Sequence, residues 1–164
     1  MKKIRIVLII LLGLLLCGCG NSNEKTSDGK FNENMANEIS NIKISDTDIF
    51  EGLDLLNDDT LESILGINRN FVSDYVVAMS RLSYDRLYAV IKPIKGQEDA
   101  IKTAMNIYID DAKENYKEYE AGKDGTNYKK LYENALISEY KGYYIVIVSD
   151  DNEKVLKKIK KIIK

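Results

Sequence analysis

Everything ahead of Cys19 has the composition of a leader, which removes it from the part of the chain that must build a core. Lys2, Lys3 and Arg5 make a positive start, and Ile4 to Leu16 is apolar apart from Arg5 and Gly13. Leu16-Cys17-Gly18-Cys19 then places a small residue just before a cysteine. That is the layout of a secretory signal peptide with a thiol at the cut point. An uncleaved membrane helix is the competing explanation. The uninterrupted run from Ile6 to Leu12, even extended to Leu16, is about half of the ~20 apolar residues that a bilayer crossing needs. A cut before Cys17 would set Leu14, Leu15 and Leu16 in a peptidase pocket made for small residues, whereas Gly18 precedes Cys19. Residues 1–18 are therefore expected to leave.

The same four residues resemble the lipobox of bacterial lipoproteins. The resemblance implies cleavage between Gly18 and Cys19, diacylglycerol on the Cys19 thiol, and a lipid-anchored protein on the extracytoplasmic face of the cell membrane. A single acyl chain holds a protein to a membrane only marginally, and a diacylglycerol group supplies the second hydrocarbon chain that stable anchoring needs. The mature chain would keep 146 of the 164 residues and one of the two cysteines. No cysteine is then left for a disulfide, a nucleophilic thiolate or a zinc site. Loss of Lys2, Lys3 and Arg5 lowers the basic count from 24 to 21 against 26 acidic residues, a net charge of −5. That balance argues against a nucleic-acid partner.

Gly20 to Lys30 (GNSNEKTSDGK) contains no apolar residue, so residues 19–30 read as a lipidated N-terminus and linker. Eleven such residues span roughly 18 Å by flexible-chain scaling. From Phe31 the composition turns globular, and residues 31–164 suit a single domain without internal repeats.

Phe31, Met35, Ile39 and Ile42 fall at helical spacing, and Asp58-Asp59-Thr60 is placed to cap a short helix that Gly66 ends. Residues 46–56 read as irregular. Val72 to Ser80 and Arg86 to Ile94 are rich in β-branched and aromatic residues, with Pro93 marking a strand end or an edge. Gln97 to Tyr119 predicts the long helix, with Ile101, Met105, Tyr108, Ala112, Tyr116 and Tyr119 as its apolar stripe and a loop at Gly122 and Gly125. Tyr128 to Tyr132 suits one further helical turn. Ala135 to Tyr140 and Tyr143 to Ser149 flank Lys141-Gly142 as a hairpin, and the unbroken run Tyr144 to Val148 predicts a strand covered on both faces. Asp150 with Glu153 suggests a capping box opening a last helix to Lys164. This order predicts an α+β domain: a mainly antiparallel sheet of about four strands, with one long helix and a C-terminal helix packed on it.

The run Ile67 to Ser80, the long helix, Leu131 to Ala135 and the segment Gly142 to Asp150 together resemble the DUF4358 domain, a domain of unknown function found in Firmicute lipoproteins. The resemblance spans residues 31–164 in order and spacing, with Leu65-Gly66 where that family leads one to expect Tyr-Gly. It implies a fold and a location, and brings no catalytic or binding residues with it.

Histidine is absent, which excludes Ser-His-Asp and Cys-His chemistry and imidazole metal ligands. Ser40-Asn41-Ile42-Lys43 matches S-x-x-K in spacing alone, without the companion S-D-N and K-T-G motifs. Asp46, Asp48, Glu51 and Asp54 could offer oxygen ligands to a hard cation, but Phe50 stands where a calcium loop needs its third ligand. Asp58-Asp59 and Asp150-Asp151 precede helices and are accounted for by capping. The 11 tyrosines include Tyr140, Tyr143 and Tyr144 at the hairpin and Tyr116, Tyr119, Tyr128 and Tyr132 around the glycine loop. They suit a sugar or protein surface, or simply half-buried core positions.

In the last helix Val155, Leu156, Ile159, Ile162 and Ile163 share one face, and Lys154, Lys157, Lys158, Lys160, Lys161 and Lys164 cover the remainder. The lysines either solvate a packed helix or meet anionic headgroups. These features predict a non-enzymatic binding module for an envelope protein or polymer, held to the membrane by its lipid, with no catalytic residues, metal or cofactor. The alternatives are an envelope enzyme using carboxylate or tyrosine chemistry, and an accessory lipoprotein for a small ligand.

Overall fold

A computed structural model of the chain describes residues 30–44, 47–48, 52–80, 86–116 and 127–164. Cys19, Gly18, Asp46, Glu51, Tyr119, Gly122 and Gly125 lie outside them. The elements run α1 (Glu33–Ser40), β1 (Lys43–Ile44), β2 (Thr47–Asp48), β3 (Asp54–Leu55) and α2 (Asp58–Leu65), then a 3-10 turn (Arg69–Phe71). They continue with β4 (Val72–Met79), β5 (Leu87–Pro93), α3 (Glu98–Asn115), α4 (Tyr128–Glu133), β6 (Leu136–Tyr140), β7 (Tyr143–Val148) and α5 (Asn152–Ile162). The domain is α+β, with a five-stranded sheet in the order β3-β4-β5-β7-β6 and every neighbour antiparallel. The fifth strand, β3, is a two-residue edge lying in the stretch whose sequence reads as irregular. β1 and β2 form a separate two-stranded ribbon.

Alternation along the strands sorts side chains into two apolar layers. Tyr75, Val77, Met79, Leu87, Ala89, Ile91, Tyr144, Val146 and Val148 meet α2, α3 and α4 on one face. Val76, Tyr88, Val90, Tyr143, Ile145 and Ile147 meet α1 and α5 on the other. Strand β7 is buried at every position, as its run without alternation predicts. A register shift between Val72 and Asp74 opposite Pro93 puts Val72 on the same face as Tyr75 and turns Asp74 to the other. Pro93, which has no N–H to donate, ends β5, an interior strand; the edge position is not realised.

The helix termini refine the sequence reading. Asn57 caps α2, its side chain accepting from Thr60 N at 3.0 Å, and Asp58 and Asp59 occupy the first turn, where the macrodipole favours them. Gly66 ends α2 in the left-handed conformation at φ 63°. Asp151 rather than Asp150 caps α5. The buried stripe of α3 is Ile101, Met105, Ile109 and Ala112, with Tyr108 at its border; a spacing of four in place of three selects the neighbouring residue.

Residues 30–32 knit the start of the domain to the sheet. Tyr75 N donates to Lys30 O at 3.2 Å and Asn32 N donates to Tyr75 O at 2.9 Å, continuing the edge that β3 opens through Leu56 N to Val77 O. The first described residue is thus already part of the fold.

Candidate functional site

Four features of the fold could carry chemistry or binding. The first is the basic side of α5. With 3.6 residues per turn, Lys154, Lys157, Lys158 and Lys161 form one stripe opposite the apolar face of Val155, Leu156, Ile159 and Ile163. Lys43 and Ile44 of β1 close the other side, and together these six residues line an open groove of about 370 Å³. Lys154 forms an ion pair with the cap residue Asp151. That ammonium holds the Asp151 carboxyl below its usual range through a hydrogen bond.

The helix ends at Ile162, short of the expected Lys164, and Lys160 and Lys164 both leave the stripe. Lys160 lies over the Tyr140 ring at 5.4 Å, and Lys164 pairs with Glu38 of α1 at 3.8 Å. Lys141, from the hairpin turn, donates to Ile163 O at 3.1 Å and satisfies an end carbonyl of α5. Of the six lysines the sequence singles out on this helix, four converge; the fifth groove lysine, Lys43, is added by the tertiary fold.

The second feature is a set of tyrosine–carboxylate pairs. Tyr75 donates to Asp58 at 2.6 Å, Tyr144 donates to Glu139 at 2.7 Å, and Tyr143 donates to Asp74, which also accepts from Asn32 Nδ2 at 3.0 Å. Burial first, then the carboxylate partner, pushes the Tyr75 and Tyr143 hydroxyls up. The hydrogen bond to Glu139 leads in pushing Tyr144 up to about 12. Each of these hydroxyls is therefore held as a proton donor, the reverse of what a tyrosine base or nucleophile requires.

Third, Tyr116 stacks on Tyr132 at 5.6 Å and lies 5.3 Å from Tyr128, while Tyr108 sits 6.5 Å from Tyr132. Tyr132 is buried, so this cluster docks α4 on α3 more than it offers a ligand platform. Fourth, an open groove of about 590 Å³ runs between α2 and α3, with Ile64, Ala104 and the exposed Ile107 along it and Asp99 and Asp111 also lining it.

The remaining sequence candidates are dispersed. Ser40 ends α1 and donates to Asn37 O, while Lys43 belongs to β1; Asp48 lies in β2 and Asp54 in β3. Among the described residues no group of three or more acidic side chains is arranged to hold a metal, and no helix is long and apolar enough to cross a membrane. Asp74 is the site residue that sequence reasoning missed. Its signal was available: a carboxylate in the otherwise apolar strand run Val72 to Met79 needs partners if it is covered. Comparison with protein-family models, curated proteins and solved structures returned no significant match.

Proposed function

We propose that the chain is a lipid-anchored, extracytoplasmic lipoprotein of the DUF4358 type. Its α+β domain binds an envelope protein or polymer close to the membrane and does so without catalysis. The single observation that carries the binding reading is the open groove between α2 and α3, where Ile64, Ala104 and the exposed Ile107 lie on the sheet face opposite the lysine stripe. The leader, the Cys19 cut point and the polar stretch Gly20 to Lys30 support the address. The tyrosine–carboxylate pairs support binding over chemistry with tyrosine as base or nucleophile, because they hold the hydroxyls protonated.

Cys19→Ala tests the anchor. It should abolish labelling by radioactive fatty acid and leave a precursor longer by the leader; unchanged labelling would refute lipidation at this residue. Crosslinking in living cells tests the binding reading. Repeated capture of one envelope partner is expected, and turnover of an envelope substrate by the purified protein would replace the binding reading with the enzymatic one.

A further inference from the structure

The lysine groove also points to what the domain rests on. We propose that the groove formed by Lys43, Ile44, Lys154, Lys157, Lys158 and Lys161 seats anionic phospholipid headgroups of the membrane that holds the anchor, so that α5 lies against the bilayer. The inference rests on the lipid-anchor reading above.

Charge complementarity carries it first. Among the described residues, Lys157, Lys158 and Lys161 form no ion pair, and all three are exposed, as is Lys43 of β1. The expected mature chain is net negative at −5, so an anionic membrane repels it in general and attracts it at this stripe. From Lys154 to Lys161 the stripe extends about 10 Å along the helix, which exceeds one phosphate group and matches a surface of repeated charge.

The path of the chain agrees. Covalent geometry limits Gly20 to Lys30 to a reach of roughly 40 Å, so the domain cannot leave the neighbourhood of the lipid. Helix α1 begins three residues after Lys30 and packs on the same sheet face as α5, with Glu38 and Lys164 paired at 3.8 Å. The point of attachment therefore leads directly into the layer that carries the groove.

Lysine reactivity provides the test. The mature, lipidated protein is reconstituted into vesicles of phosphatidylcholine alone or with about a third phosphatidylglycerol. A membrane-impermeant amine reagent is then applied and each lysine is read by mass spectrometry. Lys43, Lys157, Lys158 and Lys161 should label roughly fivefold more slowly on the anionic vesicles, and salt near about 1 M should remove the difference. Lys113 and Lys129, on the helices of the other face, should label alike on both. Substituting Lys157, Lys158 and Lys161 together with Gln should abolish the protection of Lys43.

Uniform labelling of a protein that has partitioned into both vesicles overturns this proposal alone. Failure to partition overturns the anchor reading and this one with it. Equal protection by dissolved inorganic phosphate on phosphatidylcholine vesicles overturns the membrane as occupant, as does protection that appears only with a captured protein or wall polymer.

Discussion

Tyr143 of β7 donates its hydroxyl to the carboxylate of Asp74 on β4, across the intervening strand β5. Lys92 of β5 is the register partner of Asp74, and its ammonium lies 5.3 Å from the centre of the Tyr143 ring. The same Asp74 oxygen accepts from Asn32, the N-cap of α1. One carboxylate of β4 thus joins β7, two strands away, to the N-cap of α1. That junction holds the start of α1 to the sheet face that it shares with α5.

Asp74→Ala should lower the unfolding free energy by roughly 2 kcal/mol in urea titration, since it leaves two part-buried donors without their acceptor. Tyr143→Phe removes one hydrogen bond and should cost about 1 kcal/mol. Asp74→Asn keeps an acceptor oxygen and should fall between wild type and Asp74→Ala. Equal stability of Asp74→Ala and wild type would show that the junction contributes nothing.

Alkaline pH should weaken the fold. The Tyr144 hydroxyl is raised from 10.0 to about 12 by its bond to Glu139 and by burial, and Tyr75 and Tyr143 are raised in the same direction. A group with a raised folded-state value adds stability that is complete below the unfolded value. The contribution is lost as pH climbs through the folded one. Between pH 10 and about 12 the unfolded chain releases the Tyr144 proton while the folded chain keeps it, so the urea midpoint should fall steadily. Tyr144→Phe should flatten part of that slope, and a midpoint that stays level through this window in the unsubstituted chain would contradict the assignment.

Much of this architecture is legible in the residues. Helix α5 and strand β7 declare themselves, one by apolar spacing of three and four and the other by an unbroken β-branched run. Strand β3 leaves no such trace, because Asp54 and Leu55 are too few to show a period and are held by pairing with Met79 and Ala78. The lysines of α5 are visible as a group, but their division is tertiary: Tyr140 draws Lys160 aside, Glu38 draws Lys164, and β1 brings Lys43 in. Asp74 acquires its meaning only when residues 42 and 69 positions away arrive beside it.

The hairpin turn gives a cleaner test of backbone physics. Lys141 and Gly142 both have positive φ, 49° and 79°, as a two-residue turn between right-twisted strands requires. A Cβ on Gly142 would meet nothing within 4 Å, so Gly142→Ala isolates the left-handed strain. It should cost about 1–2 kcal/mol, and Gly142→Asn less, because asparagine tolerates that region. Thermal unfolding of the two variants checks the order; an alanine variant as stable as wild type would mean that the turn relaxes freely.

Helix α4 should depend most on one ring. At six residues it is too short to persist by its own hydrogen bonding, although Asn127 caps it by accepting from Lys130 N at 2.9 Å. Its deepest anchor in the domain is Tyr132, 1 % exposed and stacked on Tyr116 of the α3 C-terminus, with Leu131 and Tyr128 packed beside it. Tyr132→Ala should cost about 3–5 kcal/mol of global stability. It should also speed hydrogen exchange at the amides of Leu131, Asn134 and Ala135, which bond within this turn. Lys129→Ala removes only an exposed pair with Glu133 and should change stability by less than about 1 kcal/mol, leaving those amides protected. If the amides stayed protected in Tyr132→Ala as well, the link from Asn152 Nδ2 to Asn134 O at 2.7 Å, which ties the end of α4 to α5, would be the dominant restraint.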